Sequence, residues 1–341
     1  MRTVGVAVIG CGTVGEIHVR AIREIPRARL VGIAVRSEER ARELGRREGC
    51  LGTADYRELL DRADVDLVTI ATPSGSHGRI ALEALEAGKH VLVEKPMAMT
   101  AAEADRVLRR AAERGRVLSV VSQRRFEEPH QAIRRALEDR ALGDLLYVEA
   151  ACAFCRTQEY YDRAPWRGTR AEDGGVLMNQ GIHSLDLMLW FAGPARRVWG
   201  LTAVRTHRIE AEDVGAALVA FRNGSFGSVL ASTSIQPGFP PTLGIYGEKG
   251  SVRCEGTSIV HWSVPGVPRP GSAGEGGGGG VRDPRDISRR YHRLQIEDVL
   301  EAIEKGRPPA VTGEDGRRAV ALVEAIHRSA ETGNPVELER E

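Results

Sequence analysis

Near the start of the chain, Gly10-Cys11-Gly12-Thr13-Val14-Gly15 follows an apolar β-branched run, Val4–Ile9, and opens a stretch of helical periodicity over residues 14–24. Few folds need three glycines at this spacing between a strand and a helix. The first permits a tight turn, the second lets a bulky anion approach the backbone, and the third lets helix and strand pack closely. The start of the helix then presents N–H groups and the positive end of its dipole. The pattern predicts a backbone cradle for a dinucleotide pyrophosphate, formed by Gly10, Cys11, Gly12, Thr13, Val14 and Gly15.

The next hundred residues keep to one rhythm. Strand-like runs at residues 30–35, 66–72, 90–94 and 117–121 alternate with helical runs at 38–48, 80–87 and 100–114. Thr100 and Glu103 form a capping-box pattern at the start of the last of these. Such alternation predicts a parallel, doubly wound α/β sheet, a Rossmann domain over residues 1–122. Beyond it the texture changes. A helix at 133–139 and a strand at 145–154 precede a polar stretch, and an apolar helix covers 175–191. Strands then follow at 198–204, 214–221, 226–235, 242–246 and 251–252, with Asn223-Gly224 as a hairpin turn. Two helices, 291–304 and 315–332, close the chain. Residues 123–341 are therefore expected to form a second, α+β domain on an open, mainly antiparallel sheet. A chain of 341 residues exceeds what one core usually serves. Residues 271–280 are mostly glycine, bury too little to offset the entropy of ordering, and are expected to be a mobile loop.

A formal net charge of +1 gives no bulk attraction to nucleic acid or anionic membranes. No apolar run reaches the roughly 18–20 residues of a membrane span, and Met1 leads into a strand without a signal-peptide pattern. Five cysteines at irregular spacing argue against a disulfide framework and for a reducing, cytoplasmic setting. Cys152 and Cys155 lack the second pair that a structural zinc site uses, so no metal is expected.

The end of the second strand normally selects the cofactor, an acid there binding the ribose hydroxyl of NAD. Here the residues are Val35-Arg36-Ser37. Arg36, with Ser37 and Arg40 nearby, suits a 2′-phosphate and favours NADP over NAD. Further on, Thr72-Pro73-Ser74-Gly75-Ser76-His77 and Glu94-Lys95-Pro96 each follow a strand, at the sheet edge where such folds bind ligands. Lysine occurs only at positions 89, 95, 249 and 305. The Lys95 ammonium is suited to stabilise a developing alkoxide. In the apolar helix, Asn179, His183 and Asp186 recur at i, i+4 and i+7, a polar stripe that needs partners or a cleft. His183 is the natural proton acceptor near neutral pH.

These motifs, with His18, Gln123-Arg124-Arg125-Phe126 and Trp166-Arg167-Gly168-Thr169, resemble those of the Gfo/Idh/MocA oxidoreductases over nearly the whole chain. The resemblance implies hydride exchange between NAD(P) and a secondary alcohol on a sugar, cyclitol or nucleotide sugar. It implies that Lys95 orients the substrate and His183 relays the proton, and that Thr72, Pro73, His77, Glu94, Gln123, Trp166 and Arg167 belong to the cofactor site. Arg124, Arg156, Tyr160 and Tyr161 are candidate substrate contacts. One position departs from the family pattern: the Asp four residues before the histidine is Asn179, which cannot take a proton. An Asn-Gln pair is similar to a subgroup of nucleotide-sugar uronate 3-dehydrogenases. A dinucleotide or sugar sensor without chemistry, and a reductase of a non-sugar carbonyl or imine, remain open on the sequence. An open sheet needs its outer face covered, so a homodimer or homotetramer is expected.

Overall fold

The computed structural model describes residues 3–271 and 289–339. They form two compact units: residues 3–123 with 289–317, and 124–271 with 318–339. The expected loop at 271–280 lies outside the described residues, apart from Gly271.

The first unit opens with β1 (Val4–Ile9), α1 (Thr13–Arg23), β2 (Ala28–Ala34), α2 (Glu38–Glu48), β3 (Leu51–Thr53), α3 (Arg57–Leu60), β4 (Leu67–Ile70), α4 (His77–Glu86), β5 (His90–Val93), α5 (Ala101–Glu113) and β6 (Leu118–Val120). The six strands are parallel, in the order β3-β2-β1-β4-β5-β6. Val6, Val8, Leu67, Val68, Ile70 and Val91 have no exposed surface. Strands covered on both faces in this way belong to parallel sheets. The order reverses between β1 and β4, and the exits of both strands meet there: the Ala71 N–H donates to the Ile9 carbonyl at 2.8 Å. That crevice is where open α/β sheets take ligands.

The second unit contains α6 (Glu128–Glu138), β7 (Leu145–Ala153), α7 (Gln158–Asp162), a π-helical turn at Leu177–Gly181 and α8 (Ile182–Ala192). Strands β8 (Ala195–Ala203), β9 (Val214–Phe221), β10 (Phe226–Ser232), β11 (Thr242–Gly247), β12 (Ser251–Glu255) and β13 (Ser258–Ser263) follow. With the final strand they form an eight-stranded sheet. Its pairs are antiparallel except β7 with β10. The Asn223-Gly224 turn joins β9 to β10, with Gly224 at φ +92°. Helix α8 packs on β7 and covers one face of the sheet. The other face carries Trp199, Leu201, Leu218 and Phe226, which are 56–72% exposed.

Helix α9 (Arg289–Lys305) returns to the first unit, although its sequence follows the second. Its Ile296, Val299 and Leu300 join a core with Ile22, Leu30 and Leu92. The Gln295 side chain completes the contact. It accepts from Ser122 N at 3.0 Å and donates to the Val120 carbonyl at 2.7 Å, all buried. Helix α10 (Gly313–Thr332) is divided at Arg317 between the units, and β14 (Val336–Glu337) pairs with β8. Gln295→Leu keeps the volume and removes both bonds. A buried backbone group left unpaired costs about 1–3 kcal/mol, so with two such groups the first unit should lose about 2–6 kcal/mol. Urea unfolding checks this, and an unchanged midpoint would contradict the packing of α9 on this unit.

Candidate functional site

The three motif glycines differ in what surrounds them. A Cβ on Gly10, which has φ +89°, would lie 2.6 Å from the Ala71 carbonyl, and one on Gly15 would lie 2.1 Å from the Gly10 carbonyl oxygen. Both are needed for the chain to pack on itself. A Cβ on Gly12 would meet nothing within 4 Å. Gly12 is also the N-cap of α1, and no side chain caps that helix end. Open space over an uncapped helix start fits a pyrophosphate. Gly12 and Thr13 are exposed and Val14 half-buried, while Cys11 is buried. Burial and the nearby Glu16 push the Cys11 thiol up to about 11, so it packs as a neutral group.

At the end of β2, Arg36 and Ser37 are exposed. Ser37 caps α2, accepting from Arg40 N at 3.3 Å. Arg40 itself is held by Glu43 at 2.7 Å and Glu16 at 3.1 Å. Arg36 has no hydrogen-bond or ion-pair partner among the described residues. At the other end of the sheet the buried carbonyl oxygen of Gln123 likewise lacks a partner among the described residues.

Two buried side chains hold the loops after β4 and β5. The His77 ring lies 2.8 Å from the Thr72 carbonyl and 2.7 Å from the Pro96 carbonyl, fastening one loop to the other. Burial pulls the imidazole down and the two carbonyls oppose it. Glu94 lies at the centre of the second loop. Its Oε1 is 3.0 Å from His18 Nε2 on α1, and its Oε2 accepts from Lys95 N at 3.2 Å. His292 on α9 approaches the same Oε1 at 4.0 Å. Ligand-type atoms of His18, Glu94 and His292 lie within 4.8 Å of one another; the shortest of these separations is the His18–Glu94 hydrogen bond. Burial would push Glu94 up, but the bond and charge of His18, with His292 and Lys95 beside it, bring it down to about 2. His77 and Glu94 therefore position the loops from within, and half-buried Lys95 is the residue they present.

In the second unit Asn179 and His183, both half-buried, flank the junction of the π turn with α8. π turns concentrate at functional sites because they re-aim side chains. Gly175, at φ +82°, leaves room for Glu212, which accepts from Leu177 N at 3.0 Å and so secures the start of the turn. The Asn179 amide nitrogen donates to Oδ1 of Asp173, a buried residue whose Oδ2 accepts from Gly168 N at 2.9 Å. Asp186, the third member of the expected stripe, instead forms a buried bidentate pair with Arg125, at 2.6 and 2.9 Å. Its role is structural.

Around α7, Arg167 stacks 4.2 Å from the Tyr160 ring centroid and 5.5 Å from that of Trp166. Arg156 approaches Tyr160 at 5.5 Å. Two guanidiniums thus flank one ring. Tyr161 is buried, its hydroxyl 2.7 Å from Thr233 Oγ1 and its ring 4.8 Å from that of His207, so it supports the loop from inside. Arg124 is held by the Gly256 carbonyl at 3.1 Å and by Glu127 at 3.5 Å. Sequence reasoning missed Asp173 and His292. Each acts through a partner that no local spacing announces.

A family model described as an oxidoreductase family with an NAD-binding Rossmann fold matches residues 4–122, and a Gfo/Idh/MocA C-terminal domain model matches residues 130–253. The chain is 30% identical to UDP-N-acetylglucosamine 3-dehydrogenase of Acidithiobacillus ferrooxidans, over 97% of each protein. It is 26% identical to myo-inositol 2-dehydrogenase of Thermotoga maritima, over 98% of each. Among solved structures, the WlbA dehydrogenase of Bordetella pertussis in complex with NADH and UDP-GlcNAcA matches with a TM-score of 0.89 and 32% identity, covering 100% of both chains.

The glycine environments separate folding from binding. Gly12→Ala should fold with an unchanged melting temperature and bind NADH at least about tenfold more weakly, a single tenfold step being about 1.4 kcal/mol. Gly15→Ala should lower the melting temperature itself. Fluorescence titration and thermal melts check the pair, and full NADH affinity in Gly12→Ala would contradict the cradle.

Proposed function

The chain belongs to the Gfo/Idh/MocA oxidoreductase family, NAD-dependent dehydrogenases of sugars, cyclitols and nucleotide sugars, and from this premise we propose that it oxidises a secondary alcohol of an acidic nucleotide sugar. The observation that carries the chemistry is Lys95, presented at the ligand edge of the parallel sheet by buried Glu94. The observation that favours an acidic substrate is the pair of guanidiniums, Arg156 and Arg167, both placed against Tyr160. Relatives that act on or bind UDP-GlcNAc and UDP-GlcNAcA point the same way.

When bound, the nicotinamide ring supplies the hydride acceptor. The chain's residues do the rest. Lys95, as a cation, lowers the pKa of the substrate hydroxyl and stabilises the oxygen as negative charge develops. His183 takes the proton, and Asn179 shapes its surroundings without titrating. Gly10 to Gly15 and α1 would hold the pyrophosphate, with Thr72, Pro73 and Gln123 along the same edge of the first unit. Arg36, exposed at the end of β2, supports NADP over NAD.

Absorbance at 340 nm, with NAD and NADP compared against UDP-N-acetylglucosaminuronate, UDP-N-acetylglucosamine and myo-inositol, tests the reading. The acidic nucleotide sugar should be the best donor and NADP the better acceptor. Lys95→Ala and His183→Ala should each lower kcat by about 10²-fold or more, and near-full turnover in either variant would remove it from the reaction.

A second copy of the chain is the proposed cover for the outer sheet face. Cross-strand registers place Leu201, Ala216 and Leu230 in one row and Trp199 and Leu218 in the next, a continuous apolar surface that soluble monomers rarely expose. Trp199→Glu with Leu218→Glu should convert a homodimer or homotetramer to monomer in sedimentation, with NADH binding kept. A monomeric wild-type chain would contradict this.

A further inference from the structure

Asn179 raises a chemical question. A histidine that shuttles a proton usually has a carboxylate close by, to fix the ring and favour its charged form. Position 179 cannot supply one. The structure provides a carboxylate six residues earlier, in the loop that enters the π turn. Asp173 is 3% exposed, and its two oxygens are divided between the Gly168 N–H and the Asn179 amide. The bond to Asp173 fixes how the amide faces: a carboxylate only accepts, so the Asn179 nitrogen must point to it. The Asn179 oxygen is thereby turned the other way, where it is 3.4 Å from Gln180 Nε2. Asn179 is one turn from His183.

We propose that Asp173 is the missing carboxylate of the acid–base site, a positioning residue that orients Asn179 and places a fixed negative charge beside His183. This deepens the reading of His183 as the base and rests on it. Charged and titratable groups near the pair, among the described residues, include Tyr160 and Tyr161 of α7, the Arg156 and Arg167 guanidiniums against Tyr160, Glu212, which lies 3.1 Å from His327, and Asp186, three residues beyond His183 and bound to Arg125. The guanidiniums work against a protonated histidine. Asp186, one turn beyond His183, has its charge met by the Arg125 guanidinium, whereas Asp173 carries its charge on a hydrogen bond to Asn179, one turn before His183. The charge is also stable where it is, since two donors meet it and charge-assisted bonds are the strong ones.

A decisive experiment titrates His183 directly and needs no substrate. Protein labelled with 15N-histidine is followed by NMR from pH 5 to 9, and the His183→Gln variant identifies the signal. Asp173→Asn removes the charge and keeps the shape. It should lower the His183 pKa by about 1 unit or more, since loss of a nearby negative charge disfavours the imidazolium. Asp173→Asn with Asn179→Asp returns the charge to the helix and preserves the bonded pair with its roles exchanged, so it should restore or raise the pKa. The double variant also guards against a folding defect in the single one. A His183 pKa unchanged in both variants would overturn the proposal. Full turnover by His183→Ala would instead overturn the underlying reading while leaving the titration result intact.

Discussion

Glu94 is a charged group in a place with little water, and the presentation of Lys95 depends on how that charge is met. An isolated buried carboxylate would be neutralised or expelled. Here His18 from α1 takes one oxygen and the backbone N–H of Lys95 takes the other, with His292 from α9 close by. The compensation joins three segments that are far apart in sequence: the helix that faces the phosphates, the loop that carries the lysine, and a helix from the end of the chain. His77 repeats the device on the neighbouring loop, its ring set between two backbone carbonyls. A lysine used as a point charge gains from a backbone held in this way, because its four-carbon stem contributes little rigidity of its own.

The division of labour follows from this. The space over Gly12 and the uncapped start of α1 suit a phosphate, so that part of the candidate site depends on the absence of side chains. Lys95, the proposed contact to the reacting oxygen, stands instead on a loop whose position is set by buried Glu94. Residues that resemble ligand contacts in the sequence therefore fall into two sets. Lys95, Arg156 and Arg167 retain exposed surface. His77, Glu94 and Tyr161 are held in internal bonds, and their value lies in the geometry they impose.

What the sequence disclosed was local. The glycine spacing, the βα rhythm up to residue 122 and the Asn223-Gly224 hairpin each rest on contacts within a few residues, and all three recur in the structure. What it concealed was nonlocal. Helical periodicity in residues 291–304 announced a helix but could not say that Ile296 and Val299 pack with Ile22 rather than with the sheet that precedes them. Short β3 and α3 carry too few residues for a period. The parallel pairing of β7 with β10 breaks an otherwise antiparallel pattern and depends on strand order, which alternation does not encode. A single i+3/i+4 stripe could not anticipate the π turn, nor say which partner would meet Asp186, which proves to be Arg125.

The carboxylate at 173 illustrates why such a site tolerates Asn at 179. A carboxylate on the helix would sit in the acid–base cluster itself and would have to titrate among its neighbours. One in the preceding loop is met by a backbone N–H and an amide, both neutral donors that cannot give up a proton. In the proposed arrangement the amide between it and the histidine passes on orientation and cannot pass on a proton. In the proposed site, separating the charge from the proton carrier would leave His183 uncoupled from a neighbouring carboxylate, so that its proton would leave in one step rather than as part of a coupled pair.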